Sequence, residues 1–462
     1  MMKTLKLLPT AFCVAALSLG LNTGAFSKGK DFEEKEKNSS GTDVNPTVSG
    51  PFRKKAGNQA GSNFQKAPAN TFIMREMPSH YFRTNKEAKT DSVPFKPSIS
   101  VGSIVHMFAS SQQTGFGSNT NYGDAGSDWN KGITLYRARV LVGGQLSKKG
   151  SFFLETDIPS PIGVRLDSST KNVKVSPIIL DAQYEHTFNE HIMLVAGMQL
   201  VSHNRNGLQG AASLMANDFT YYQYPYNLFA NDPLQGNFGR DLGLNARGFF
   251  MKKKLEYRFG IFSGRRFDDK APFRTVGRVV YNFLDPEQDY YYAGTKLGAG
   301  KTVALAAGFD AQATYYNVGA DLFVDVPVSQ AGSVTLNSAF TYMSGGSKTD
   351  TKYSFAKMIP QQTVSFLELG YYFKDIKVQP WIRFENKAVS ATKEQAEGNT
   401  TTFNKLQGGT VFGGGVNYFF NGYGTNVRLS YTTFTKGVPQ DSGEITNKTY
   451  GQLWCQLQFF IF

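Results

Sequence analysis

Cysteine is almost missing from this 462-residue chain, which holds only Cys13 and Cys455. Cys13 falls within a leader-like segment, so the mature chain keeps one thiol and no internal disulfide. No Cys/His cluster has zinc-type spacing, and no metal or cofactor is expected. Long apolar runs are equally scarce. The run from Leu7 to Leu21 is shorter than the roughly 20 residues a spanning helix needs, and Pro9 interrupts its start. With a mean hydropathy of −0.32, a helical membrane protein is excluded. No Gly-x-Ser-x-Gly elbow is present, and five histidines scattered along the chain mark no triad, so no enzyme is expected. Gly298-Ala299-Gly300-Lys301-Thr302 lacks the first glycine of a phosphate loop, with Thr295 in its place, and runs into a strand pattern. The basic clusters have no nucleic-acid-binding fold around them, which excludes DNA and RNA as partners.

What is present begins with the leader. Lys3 and Lys6 precede the apolar run, and Gly24, Ala25 and Ser27 close it, so residues 1–27 read as a signal peptide cleaved after Ala25 or Ser27. Residues 28–97 are polar, with a charge run from Asp31 to Lys37 and a basic cluster at Pro51-Phe52-Arg53-Lys54-Lys55. Such composition cannot bury enough apolar surface to fold alone. It reads either as a disordered extension or as a plug. Residues 98–462 form the third segment.

That segment changes character. Aromatic residues make up 14% of the chain and glycine numbers 47, the mixture that interface girdles and closely packed strands require. Sixteen period-two runs are separated by turn residues: 98–108, 131–146, 150–158, 177–188, 191–200, 240–251, 254–263, 273–284, 301–311, 314–326, 332–343, 362–374, 376–388, 408–420, 424–435 and 447–461. The gaps alternate between short turns such as Lys252-Lys253 and longer loops at 109–130, 201–239 and 389–407. In the last run Leu453, Cys455, Leu457, Phe459 and Ile461 share one face, and Gln452, Gln456 and Gln458 the other. A wall that is greasy outside and amide-rich inside separates lipid from water. The expected fold is all-β, a transmembrane antiparallel barrel of about sixteen strands. Phe460 and Phe462 fall on the glutamine face, so the last residues are expected to bulge or leave the ladder.

Parity then places the charges, because a lipid-facing charge at mid-depth costs about 2–4 kcal/mol. Tyr136, Val140 and Val142 share the lipid face, which turns Arg137 and Arg139 inward. The same argument turns Arg247, Arg258, Arg274, Arg278 and Arg383 into the lumen, together with Asp157, Asp181, Glu185, Asp241, Glu256, Asp321, Asp325 and Glu385. Two readings stand. The arginines line a path for anions, or each pairs with a lumenal carboxylate and the field is transverse. Residues 98–462 carry 34 Lys and Arg against 28 Asp and Glu, a mild lean toward anions. The loop 201–239 holds His203, Arg205, Tyr221, Tyr222, Tyr224, Tyr226 and Phe229, and reads either as an inward constriction or as a surface loop.

Several runs in order resemble the phosphate-selective porin O/P family of outer-membrane channels. These are Leu135-Tyr136-Arg137-Ala138-Arg139-Val140 leading to Gly144, Ile179 to Tyr184, Gly239 to Leu244, Leu255 to Gly264, and Gly413 to Phe420. The resemblance implies a cell-outer-membrane porin, a homotrimer in contact with outer-membrane lipid, that passes small hydrophilic solutes by passive diffusion. It further implies an anion preference, phosphate among the solutes. Replacing Arg137 and Arg139 by neutral residues is then expected to lower that preference. Lumenal acids about as numerous as the arginines depart from the family's arginine ladder. The alternatives are a general or weakly cation-selective porin, or a non-conducting barrel that is adhesive or enzymatic.

Overall fold

The computed structural model describes residues 95–113, 129–158, 177–223, 239–348, 350–356, 359–390, 408–439 and 445–462. The leader, the segment 28–94 and the loop residues Tyr224, Tyr226 and Phe229 lie outside the described residues. Sixteen strands follow one another: β1 (Ser98–Gln112), β2 (Asn130–Gln145), β3 (Gly150–Asp157), β4 (Ile178–Asn189), β5 (Ile192–Leu200), β6 (Arg240–Phe250), β7 (Leu255–Phe262) and β8 (Arg274–Asn282). The second half holds β9 (Thr302–Gln312), β10 (Tyr315–Ser329), β11 (Gly332–Ser344), β12 (Gln362–Phe373), β13 (Val378–Val389), β14 (Gly409–Asn421), β15 (Thr425–Pro439) and β16 (Ile445–Ile461). Each pairs antiparallel with its neighbours in the chain, and β1 with β16 closes the barrel.

The alternation read from the sequence drives this closure. On β6 to β9 the outward positions, among them Leu242, Leu244, Phe259, Ile261, Val279 and Leu305, are exposed and none is charged. A closed barrel with an apolar exterior satisfies every ladder bond without water, the condition for crossing lipid. Aromatic pairs ring the turn end: His191–Phe250 at 4.9 Å, Tyr281–Phe283 at 5.0 Å, Tyr371–Phe373 at 4.6 Å and Tyr418–Phe420 at 4.7 Å between centroids. Their position marks one membrane boundary.

Three local expectations are corrected. Phe460 does not leave the ladder: it pairs with Ile104, and its ring joins an internal cluster with Ile104, Leu141, Phe153, Ala212 and Tyr423. Tyr136 does not face lipid. A register shift opposite His106 and Met107 turns both Tyr136 and Arg137 inside, which simple alternation cannot anticipate. The rule of short turns and long loops also fails on both sides of β9. Residues 283–301 form a long connection at the turn end, while only Ala313 and Thr314 join β9 to β10 at the loop end.

Candidate functional site: a lumen filled from both ends

Two segments enter the barrel. From the loop end, residues 201–223 follow β5 inward, with 3-10 turns at Asn206–Leu208 and Ala211–Ser213, and almost every residue is buried. From the turn end, residues 283–301 enter between β8 and β9 and bury Tyr290 and Tyr292. The two meet. Gly210 N donates to Tyr292 O at 3.1 Å, Tyr292 N to Leu208 O at 2.9 Å, and Thr295 N to Ser213 O at 3.2 Å. Gln209 and Tyr292 form a parallel bridge. At this junction the Arg205 guanidinium forks onto Glu287, Nη1 to Oε2 at 2.6 Å and Nη2 to Oε1 at 2.9 Å, beside the Phe323 ring 3.5 Å away.

The wall is cut to receive the loop. A Cβ at Gly308 would overlap the His203 carbonyl, and one at Gly319 would press on the His203 ring and the Thr341 methyl. One at Gly370 would overlap the Met215 sulfur. Glycine within a strand marks such close approaches.

The seven arginines singled out by parity all lie inside, each only 1–6% exposed, and each contacts an acid. Arg137 meets Asp218 at 2.5 Å, and Arg139 spans Glu155 at 2.7 Å and Asp157 at 2.9 Å. Arg247 lies 3.4 Å from Glu256 and 3.8 Å from Glu185, and Arg258 lies 2.7 Å from Glu256. Arg274 contacts Asp310 at 2.6 Å and Asp241 at 3.2 Å, Arg278 contacts Asp321 at 2.5 Å, and Arg383 contacts Glu368 at 2.8 Å.

Several of these side chains also hold the inserts. Arg383 donates to Phe219 O and Asp218 O, and Arg278 to His203 O. Arg247 donates to Gln288 O, and Arg258 to Tyr290 O. Tyr221 and Tyr222 present their backbone N–H groups to the Glu385 carboxylate at 2.9–3.0 Å. Burial raises the Asp218 carboxyl, but the Arg137 guanidinium together with hydrogen bonds from Tyr136, Arg137 and the Phe219 N–H outweighs it and keeps the group below its usual range. Burial likewise raises Glu287, and Arg205 with Lys296 overcomes that to hold it at about 2. His203, deprived of water, falls to about 4.

Sequence reasoning missed the wall acids Glu155, Asp310 and Glu368, which share parity with inward residues of their strands, and four further participants. Arg240 contacts Asp181 at 2.9 Å, and its position at the first residue of β6 defeats parity. Arg428 sits in clean alternation between Val427 and Leu429 and could have been found; it donates to Ala216 O at 2.9 Å and Ala212 O at 3.2 Å. Asp218 and Glu287 lie in the inserts, where no period exists. At the loop end, three lysines share one level of the wall: Lys387 pairs with Gly409, Gly409 with Lys436, and Lys436 with Lys448. The Lys387 ammonium stands 5.0 Å from the centre of the Tyr222 ring.

The class these features define is a transmembrane β-barrel with an ion-paired interior. No family model matches the chain, and no curated protein matches it. Among solved structures it is similar to the outer-membrane channel DcaP of Acinetobacter baumannii, with 10% identity over 79% of this chain and 97% of that one, at a TM-score of 0.48. It is also similar to an anion-selective porin from Comamonas acidovorans, with 8% identity, 79% and 100% coverage, and a TM-score of 0.47. For the outer membrane protein opdK from Pseudomonas aeruginosa the values are 8%, 79% and 98%, and 0.42.

Proposed function

We propose that the chain is an outer-membrane porin through which small hydrophilic solutes diffuse passively along a path narrowed by the two inserts. The observation that carries this reading is a closed barrel whose lipid-facing positions on β6 to β9 carry no charge, around a polar, charged interior. Signal-peptide export of residues 1–27, a disordered or plugging extension at 28–97 and a homotrimeric assembly complete the proposal.

A mild anion preference, phosphate included among the solutes, is assigned to the loop-end mouth. Arg428 aside, the lumenal arginines named above are matched by acids, so they supply a transverse field and little net attraction. Lys436 and Lys448 stand directly opposite each other, an arrangement that costs up to about 1 kcal/mol between like charges. The row of Lys387, Lys436 and Lys448 concentrates basic charge at the mouth, which raises the local concentration of anions. Solutes must leave as readily as they enter, so affinity is low.

The test is single-channel recording in a planar bilayer under a salt gradient. Openings whose reversal potential favours anions, shifted toward zero in K387Q/K436Q/K448Q, are the expected result. An unshifted potential in that variant would remove the lysine row from the account. The filled lumen also suits a non-conducting surface barrel, which the same recording would reveal by silence under every condition.

A further inference from the structure

The connection between β8 and β9 enters the barrel at the turn end, opposite to the inward loop. Its neck is tied: Asp285 N donates to Lys301 O at 2.8 Å, and Lys301 N donates to the Asp285 carboxylate at 3.0 Å. Below the neck, Phe283 N bonds Val303 O and the β8–β9 ladder continues. The residues between Asp285 and Lys301 therefore form a compact strap whose displacement breaks no strand pairing.

Inside, the strap crosses the lumen. Tyr291 packs on Phe153 of β3 at 5.9 Å, Lys296 N bonds Asp325 of β10 at 2.7 Å, and Gln379 of β13 donates to Thr295 at 2.9 Å. The Tyr423 hydroxyl donates to Thr295 O. Among the described residues its one ion pair with the inward loop is Arg205–Glu287, buried on both sides.

The two inserts are held differently. The inward loop sits in glycine notches and is gripped by Arg137, Arg383 and Arg428 from the wall. The strap is also gripped by wall arginines, Arg247 at Gln288 O and Arg258 at Tyr290 O. Among the described residues, however, it sits in no glycine notch of the wall, and both of its ends pass through one neck at the turn end. We propose that residues 286–300 are an internal plug latched to Arg205 through Glu287, and that the conducting state forms when this latch opens and the strap withdraws toward the turn end. The inward loop stays on the wall and keeps the remaining path narrow. An oxyanion solute is the chemical match for the Arg205 fork once Glu287 has left it. This inference rests on the porin reading above and adds its regulation.

Three variants of the full chain test it in planar bilayers, each first checked for a native melting transition in detergent. In the first, residues 286–300 are replaced by Asn-Gly, a pair suited to a two-residue hairpin turn. In the second, E287Q removes the latch charge. In the third, Q209C/Y292C with C455S bridges the two inserts across their parallel contact. Rare openings in the parent chain, steady and several-fold larger conductance without the strap, and an open fraction raised about tenfold or more by E287Q are expected. The bridged variant should be silent when oxidised and recover on reduction. Equal conductance of parent and strapless chains would overturn the plug while leaving the porin standing, as would openings of the oxidised bridged variant. Silence of both parent and strapless chains would overturn the plug and the porin together.

Discussion

Arg139 faces two carboxylates at hydrogen-bonding distance inside the wall. Removing its charge leaves Asp157 uncompensated, and a stranded buried charge costs about 3–5 kcal/mol. R139Q should therefore lower stability by about 3 kcal/mol in urea unfolding from detergent, with R139M/E155Q/D157N regaining most of the loss. Ion selectivity should change little beside the lysine-row variant. His203 gives a pH prediction of opposite kind. Its ring is packed among Asp310, Asp321, Arg278 and Arg274, and burial lowers its pKa to about 4. The undocked loop takes up a proton near the ordinary value of about 6.5, whereas the docked one does not. Docking strength is thus whole above pH 6.5 and declines as pH falls toward 4, by about 3 kcal/mol over that interval. Hydrogen exchange of amides at 201–223 should accelerate through this window in the native chain and lose the step in H203Q.

At the scale of elements, glycine does the fitting. Gly308 and Gly319 sit side by side on β9 and β10, and the inward loop lies where their side chains would be. G308A should push the His203 backbone off the wall, widen the path and raise single-channel conductance, while a lipid-facing exchange such as A307G leaves it unaltered. The strands themselves were legible because period two repeats wherever lipid lies on one side and polar groups on the other. The sixteen runs read from the sequence match the sixteen strands within a few residues. Facing was legible for the same reason, except at Tyr136, where the register shift inverts it, and at Arg240, which opens β6. Partners were not. Arg383 finds Glu368 through the β12–β13 register, and Arg137 finds Asp218 through a loop 81 positions away. Register and loop path are tertiary quantities that one strand's pattern does not encode. The strap was the least legible part, since residues 283–301 carry no period and lie where short turns prevail.

For the whole molecule, net charge misleads about selectivity. The barrel segment carries six more basic than acidic residues, yet the interior arginines other than Arg428 are matched by acids in the wall and inserts. What attraction remains belongs to the mouth, and the whole-molecule readout is the reversal potential of the triple lysine variant. The pairing of β1 with β16 has a further consequence. It joins Ser103 to Ile461 and Gln112 to Gln452, so the seam unites the beginning of the barrel with its end. Contacts that distant in the chain form late and slowly. The inward loop is gripped by Arg137 of β2, Arg383 of β13 and Arg428 of β15, so its grip is complete only when that seam has zipped shut, whereas the strap can still enter through the turn end. Closing this barrel is consequently also the step that fastens its inner loop, with the strap free to follow as a stopper.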